Sequence, residues 1–411
     1  MDSLMSASRL DLLIYAHDGR GLGHSSRSIA IGMAVRRLYP ELKVLFITGS
    51  RMVSQLIDKV PLDWLKLPAY QTKVVDGVSI GRSSFINLTD TELGECRRSI
   101  MEHLMGVLRP RCILADHTPQ GKHKELLPSL ETTLDTDTIW VLGVRGWVGS
   151  VPQVWSDIAK MSFAKHYRHL LWYGDSRLLG ESQPGTLKRH FAMNPLETGY
   201  VCRIFELDHW LPAQRNPEDP LAGIISIPWV GEEITYVTKQ LFHALNKIGP
   251  KYGPWRLFVG SPDDVSRQKG IHDLFKKLPY CTVSPAGEEY RQALLKAKTA
   301  VIYGGYNSLT DVLYANIPAV VLLRGMQDEE QQAHMARLKS LNKNRLTLYK
   351  EKEIEAETLA QVLIRNIRTQ KLPEPEIKLD GAATAARYLF EIIKNQRSGI
   401  THGLSSVSIQ K

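Results

Sequence analysis

Short apolar runs alternate along the chain with stretches of helical periodicity. Leu10–Ala16 is apolar apart from Asp11 and is closed by Asp18-Gly19, the pattern of a strand covered on both faces. From Ser25 the spacing changes, and Ile29, Met33 and Leu38 fall on one helical face. Lys43–Thr48, Cys112–Ala115, Ile139–Gly143 and His169–Tyr173 read as further strands, with helical stretches over Leu93–Leu108 and Lys122–Leu130. The second half repeats the alternation. Strands are predicted at Ala222–Ile227, Arg256–Val259, Cys281–Val283, Thr299–Tyr303 and Ala319–Leu323. Helices are predicted at Glu233–Ile248, Tyr290–Ala297, Ser308–Ala315, Glu329–Leu341, Ile354–Ile367 and Ala382–Asn395.

Such alternation predicts βαβ units and parallel sheets. Two segments break it. Ala69–Asn87 is polar, glycine-containing and weakly periodic, and reads as a long functional or mobile loop. Phe205–Leu221 holds three prolines and little periodicity, and reads as a linker. The expected fold class is therefore α/β, with two doubly wound, Rossmann-like domains facing across a cleft. They span residues 1–204 and 222–380, joined by the linker 205–221. A C-terminal helix, 381–396, is expected to pack back toward the first domain, and the Ser-, Gly- and Gln-containing tail 397–411 reads as disordered.

Composition narrows the class. The 411 residues are 43% hydrophobic and 23% charged, close to the globular average, which excludes a wholly disordered or fibrous chain. The apolar runs fall far short of the ~20 residues that span a bilayer, and no basic segment leads into a long apolar stretch, so a cytoplasmic protein is expected. Cys96, Cys112, Cys202 and Cys281 stand far apart, with no CxxC or Cys/His cluster, which argues against structural zinc or a redox dithiol. The net charge of +9 is spread evenly, without the basic block that tracks a nucleic-acid backbone. It suits an anionic small ligand, and peripheral contact with an anionic membrane surface stays open.

Three loops could carry chemistry. Gly19, Gly21 and Gly23 follow the first strand and lead through His24 into a helix. Their spacing does not fit a dinucleotide fingerprint, and no acid ends the second strand to read a ribose. His24 titrates near neutrality, although a lone histidine at a helix start is more often structural. Gly304-Gly305-Tyr306-Asn307-Ser308 again joins a buried strand to a helix, where backbone N–H groups can receive an anion. Asp311, one turn in, could by itself merely complement the helix dipole. Arg324 to Gln332 follows the next strand and brings Glu330 and Gln331 within range of the same ligand, unless the run is only a solvated first turn.

Together these loops resemble the MurG-like group of GT-B glycosyltransferases, which transfer a sugar from a nucleotide diphosphate, commonly UDP. The resemblance lies in Gly21-Leu22-Gly23-His24, in Gly304-Gly305-Tyr306-Asn307-Ser308-Leu309-Thr310-Asp311 and in the acidic-amide run Glu329-Glu330-Gln331. Gly143-Val144-Arg145-Gly146, Tyr173-Gly174-Asp175 and Gly199-Tyr200-Val201 follow in the family's order, so it covers most of residues 10–345. It implies a donor site bordered by Ser226, Gly304, Gly305, Asn307, Ser308 and Arg324. Asp311 falls where the family has a glutamate on the ribose hydroxyls, and Gln331, with Glu330 beside it, where a glutamine touches the donor sugar. On the acceptor side it implies Gly21, Gly23 and Arg145, with His24 as general base and Asp116 as its partner or as an alternative base.

Two departures are visible. Asp311 is one methylene shorter than the family's glutamate. Ser226-Ile227-Pro228-Trp229-Val230-Gly231-Glu232-Glu233 stands where the family commonly has a glycine triplet, and its two glutamates repel phosphate. The implied reaction is inverting and metal-independent, with no cofactor beyond the nucleotide sugar, since no DxD-type site is evident. A small-molecule acceptor, of natural-product or amino-sugar type, is the favoured partner. Two other readings stay open: a UDP-sugar 2-epimerase of the same architecture, which needs further carboxylates in the cleft, and a non-catalytic donor-binding or partner subunit, which the Pro228-Trp229 loop favours.

Overall fold

Each buried apolar run becomes a strand of one of two parallel sheets. In a computed structural model, the described residues are 9–17, 22–75, 78–84, 86–212, 219–228, 234–260, 265–287, 289–324, 334–335, 345–369, 372–374 and 376–398. β1 (Leu12–Ala16), β2 (Val44–Thr48) and β3 (Trp64–Lys66) come first. An antiparallel hairpin of β4 (Tyr70–Val75) and β5 (Val78–Ser84) then leaves the sheet, and β6 (Cys112–Asp116), β7 (Ile139–Arg145), β8 (Tyr167–Tyr173) and β9 (Leu196–Glu197) resume it. Their order is β3-β2-β1-β6-β7-β8-β9. The second sheet consists of β10 (Gly223–Ile227), β11 (Trp255–Val259), β12 (Cys281–Pro285), β13 (Ala300–Tyr303), β14 (Ala319–Leu323) and β15 (Leu346–Lys350), ordered β12-β11-β10-β13-β14-β15.

Both orders run outward in each direction from the domain's first strand. The strand order therefore reverses between β1 and β6, and again between β10 and β13. In such sheets the crevice for a ligand opens beyond the carboxyl ends of the two strands flanking the reversal. The first crevice receives the residues after Ala16 and Asp116; the second receives those after Ile227 and Tyr303.

The segment expected as a mobile loop, 69–87, is largely the β4–β5 hairpin, paired from Tyr70↔Ser84 to Val75↔Val78. In the sequence, Asp76-Gly77 between the two runs is a short-range hairpin signal. The linker is not irregular at its start, because a helix runs over Arg203–Trp210. Its acids face opposite ways. Glu206 accepts from Arg37 of the first domain at 2.9–3.1 Å, while Asp208 accepts from Arg291 at 3.0 Å and from Tyr314 at 2.7 Å in the second. The stretch expected as one helix, Lys122–Leu130, divides into a 3-10 turn at Lys122–Lys124 and a helix at Leu127–Thr132, with His123 and Lys124 at positive φ. Of the predicted helix Glu329–Leu341, only helical residues 334–335 are described.

The C-terminal helix, Gly381–Arg397, lies on the first domain. Phe390 stacks on Tyr39 with ring centroids 3.9 Å apart, and Arg397 reaches Asp11 at 2.7 Å. The chain crosses itself where this helix begins. A Cβ on Gly381 would stand 2.5 Å from the Gly199 carbonyl oxygen, and Gly199 has φ +83°, so both positions need glycine. Among the described residues no helix is long and apolar enough to cross a membrane.

A fully buried ion pair braces the first crevice from behind. Arg97 and Glu125 are both at 0% side-chain exposure, and Glu125 also accepts from Tyr15 at the end of β1. Arg97→Met leaves the carboxylate buried without its counter-charge and should cost about 3–5 kcal/mol. Urea denaturation of Arg97→Met and of Arg97→Met/Glu125→Gln checks this: the second change should recover most of the loss. A single-variant loss below about 1 kcal/mol would contradict it.

Candidate active site

The first crevice concentrates ionisable groups. Asp116 ends β6, and His24 sits in the first turn of the helix Gly23–Leu38, its Nδ1 hydrogen-bonded to Asp116 Oδ2. Arg27, one turn on, places Nη2 3.4 Å from each Asp116 oxygen and 3.3 Å from His24 Nδ1. His17, just past β1, stacks at a tilt on His24 with centroids 4.0 Å apart; the His117 ring lies 5.1 Å from that of His24. His117 adopts φ +73°, strained for a non-glycine residue, and donates its N–H to Gly143 O at 2.7 Å. The Asp116 side chain is 2% exposed and that of His24 16%, so the histidine is the member of the pair that reaches the cleft.

The second crevice meets the first through the helix Tyr306–Ala315. Asn307 Nδ2 donates to Gly23 O at 3.3 Å. The Tyr306 hydroxyl donates to Tyr173 O at 3.0 Å and accepts from the Val201 N–H at 2.8 Å, and Arg27 lies over its ring at 5.3 Å. Tyr200 stacks on Tyr306 and hydrogen-bonds His334 Nε2 at 2.8 Å. The first-turn amides of the helix, which have no intrahelical acceptors, thus face the loop that carries His24. A Cβ on Gly305 would meet nothing within 4 Å, which leaves room beside these amides, whereas one on Gly304 would press on Leu323 at 3.0 Å.

Burial and charge set the protonation states. Desolvation, and then the neighbouring His17, Arg27 and Arg145, hold His24 well below the ordinary histidine range. His117 is lowered in the same way, by burial first and then by Arg145. Burial pushes Asp116 up, opposed by Arg27 and His17. His334 falls to about 3 through burial and then Arg145. Burial thus favours the neutral form of each of these groups, and at Asp116 alone the neighbouring cations oppose it.

No protein-family model matches the chain, and no curated protein sequence matches it. Solved structures do. Acinetobacter baumannii MurG aligns over 95% of this chain and 100% of its own, with TM-score 0.52 and 13% identity. Arabidopsis thaliana UGT89C1 complexed with UDP-L-rhamnose aligns over 95% and 100%, with TM-score 0.61 and 12% identity. A putative UDP-N-acetylglucosamine 2-epimerase from Listeria monocytogenes aligns over 97% and 100%, with TM-score 0.62 and 10% identity. The fold is GT-B. Its two Rossmann-like domains are the two parallel sheets, and its cleft lies between their crevices.

Within this GT-B cleft the structure brings together His24, Asp116 and Arg145 from one domain and Asn307 from the other. Gly23 opens the first helix, Gly305 is at the N-cap of the second, and Ser308 is half-buried in its first turn. Ser226, on β10, is half-buried one residue before the crevice, and Arg324, just beyond β14, is buried. Gly21, Glu330 and Gln331 lie outside the described residues, as do Trp229, Glu232 and Glu233. Sequence reasoning missed His17, Arg27, His117, Tyr200, Tyr306 and His334. His17 directly follows a predicted strand and His117 comes one residue after the end of another, with Asp116 between, the one signal that could have raised them. Arg27 and Tyr306 look like ordinary helix residues until the domains are docked.

Asp311 stands apart. It is 8% exposed, with Arg203, Cys202 and Tyr290 as its electrostatic neighbours, and burial raises it to about 7. Its ordinary value is 3.8, so between these values the folded chain keeps a proton that the unfolded chain releases, and stability falls as pH rises through that window. Asp311→Asn removes the penalty. The melting temperature of the variant, relative to the parent, should climb from about pH 4 to about pH 7 and then level off; a difference constant with pH would contradict the assignment.

Proposed function

We propose that this GT-B chain transfers a sugar from a nucleoside diphosphate sugar, UDP-linked, to a hydroxyl or amine of a small-molecule acceptor. The observation that carries the reading is the contact of Asn307 with Gly23, which sets the first turn of the donor-side helix against the His24–Asp116 pair. UGT89C1 in complex with UDP-L-rhamnose supports a UDP-sugar as donor.

In this reading Asp116, its ionised form favoured by Arg27, accepts a hydrogen bond from the Nδ1–H of His24 and so fixes the tautomer. Nε2 keeps its lone pair and removes the acceptor proton as the nucleophile attacks the anomeric carbon. The bond from that carbon to the diphosphate oxygen breaks, and the negative charge on the leaving group meets the amides of Asn307 and Ser308 and the positive end of their helix. Single displacement of this kind inverts the anomeric centre. Asp311, against Arg203, would take the ribose end of the nucleotide.

The epimerase reading is separated by its products. A transferase releases free UDP, whereas a 2-epimerase interconverts two UDP-sugars. Phosphorus and proton NMR of the chain with UDP-sugars and an acceptor panel should show free UDP and a new glycoside. His24→Ala should lower turnover by roughly 10²–10⁴-fold with UDP affinity nearly unchanged; normal turnover would remove His24 from the mechanism. Because burial and its neighbours hold His24 below 6.5, the acid limb of kcat/KM should fall below that pH. A limb above it would place the titrating base elsewhere.

A further inference from the structure

A base and its orienting acid need two residues, yet the first crevice holds more. His17, His24 and Asp116 offer one nitrogen, another nitrogen and a carboxylate oxygen that all lie within 4.8 Å of one another. The buried Nδ1 of His117, whose ring is 5.1 Å from that of His24, has no hydrogen-bond partner. The transfer reading leaves His17 and His117 unused. We infer that His17, His24 and Asp116 form a binding site for a borderline-soft divalent metal of the zinc or cobalt class, on the base side of the cleft.

Two imidazoles and one carboxylate make a three-ligand set that leaves a further position open, as in sites where a metal keeps water or a substrate atom. Zinc–ligand bonds of about 2.0–2.2 Å put two donors on one ion roughly 3–3.5 Å apart. A separation within 4.8 Å closes with side-chain rotation, the ion displacing the His24–Asp116 hydrogen bond. The surroundings choose the metal. Arg27 stands 3.4 Å from Asp116, and Arg145 and Lys122 add to the positive field at His24. A hard cation held by charge, such as magnesium or calcium, is repelled. A metal bound largely through neutral imidazole nitrogen depends less on net charge. The unbonded Nδ1 of His117 stands nearest to serve as a fourth ligand.

The inference goes beyond the transfer reading and touches it at one residue. The metal and the acceptor proton compete for the His24 ring, so transfer through that ring is insensitive to chelators and inhibited by zinc.

The test needs no nucleotide. The full chain, stripped with a chelator and dialysed, is titrated with Co²⁺ while its visible ligand-field absorption is followed, then with Zn²⁺ in competition and with Mg²⁺ as control. One Co²⁺ per chain, displaced by Zn²⁺ and untouched by Mg²⁺, is expected. His17→Ala should weaken Co²⁺ by more than the roughly 10–100-fold seen on loss of an outer-shell partner. His17→Gln, which retains polarity at the site, provides the same readout should the alanine variant fail to show the parent's circular dichroism. Absence of Co²⁺ binding to the parent, or equal affinity in parent and variant, overturns the site and leaves the transfer reading standing. Metal binding at these residues in a chain that binds no nucleotide overturns the transfer reading and leaves the site.

Discussion

The Tyr306 hydroxyl fixes how the two halves of the cleft meet. It takes the Val201 amide proton and gives its own to the Tyr173 carbonyl, so one side chain of the second domain satisfies two backbone groups of the first. All of these groups are buried, where an unpaired amide or carbonyl is costly. Around this point Arg27 lies over the Tyr306 ring and Tyr200 stacks on it, and Asn307 in the first turn of the same helix donates to Gly23 O beside His24. Asp208 and Glu206 repeat the tie further out, each anchoring the linker helix to a different domain.

That docking makes the chemistry cooperative. Asp116 alone is a buried acid at a strand end, and His24 alone a histidine at a helix start. Parallel pairing of β1 with β6 brings their carboxyl ends side by side, and the packed chain leaves Asp116 almost wholly out of water. Desolvation lowers the histidines and raises the acid; the guanidinium groups pull the acid back toward its ionised form. The result is a histidine hydrogen-bonded to a buried acid, set beside the first turn of the helix Tyr306–Ala315.

Much of the fold was legible because the strands of a parallel sheet buried on both faces are continuous apolar runs. Ala319–Leu323 is recovered residue for residue, and β1, β2 and β6 to within two residues at either end. The β4–β5 hairpin was not, since its partly polar strands lack the apolar alternation of a half-buried sheet and only Asp76-Gly77 marks the turn. The linker helix was masked by the prolines that follow it at Pro212, Pro217 and Pro220. At the site, glycines and polar residues between strand and helix pointed to Gly23, His24, Asn307 and Ser308. Arg27, Tyr200 and Tyr306 matter through partners more than a hundred residues away or in the other domain, and no local pattern carries that information. Asp311 was legible as a position but not in its surroundings: it lies against Arg203 from the linker helix, which the sequence did not reveal.

In the proposed reaction a nucleoside diphosphate binds in the crevice beside the Gly23–Asn307 contact. Thermal denaturation of the chain with UDP, GDP, ADP, TDP or CMP tests it without knowledge of acceptor or sugar. A ligand at ~100 times its dissociation constant adds about 2.7 kcal/mol to the folded state, a shift of several degrees. Such a shift is expected with UDP, and a smaller one with the other nucleotides. No shift with any of them would contradict a donor site in this cleft.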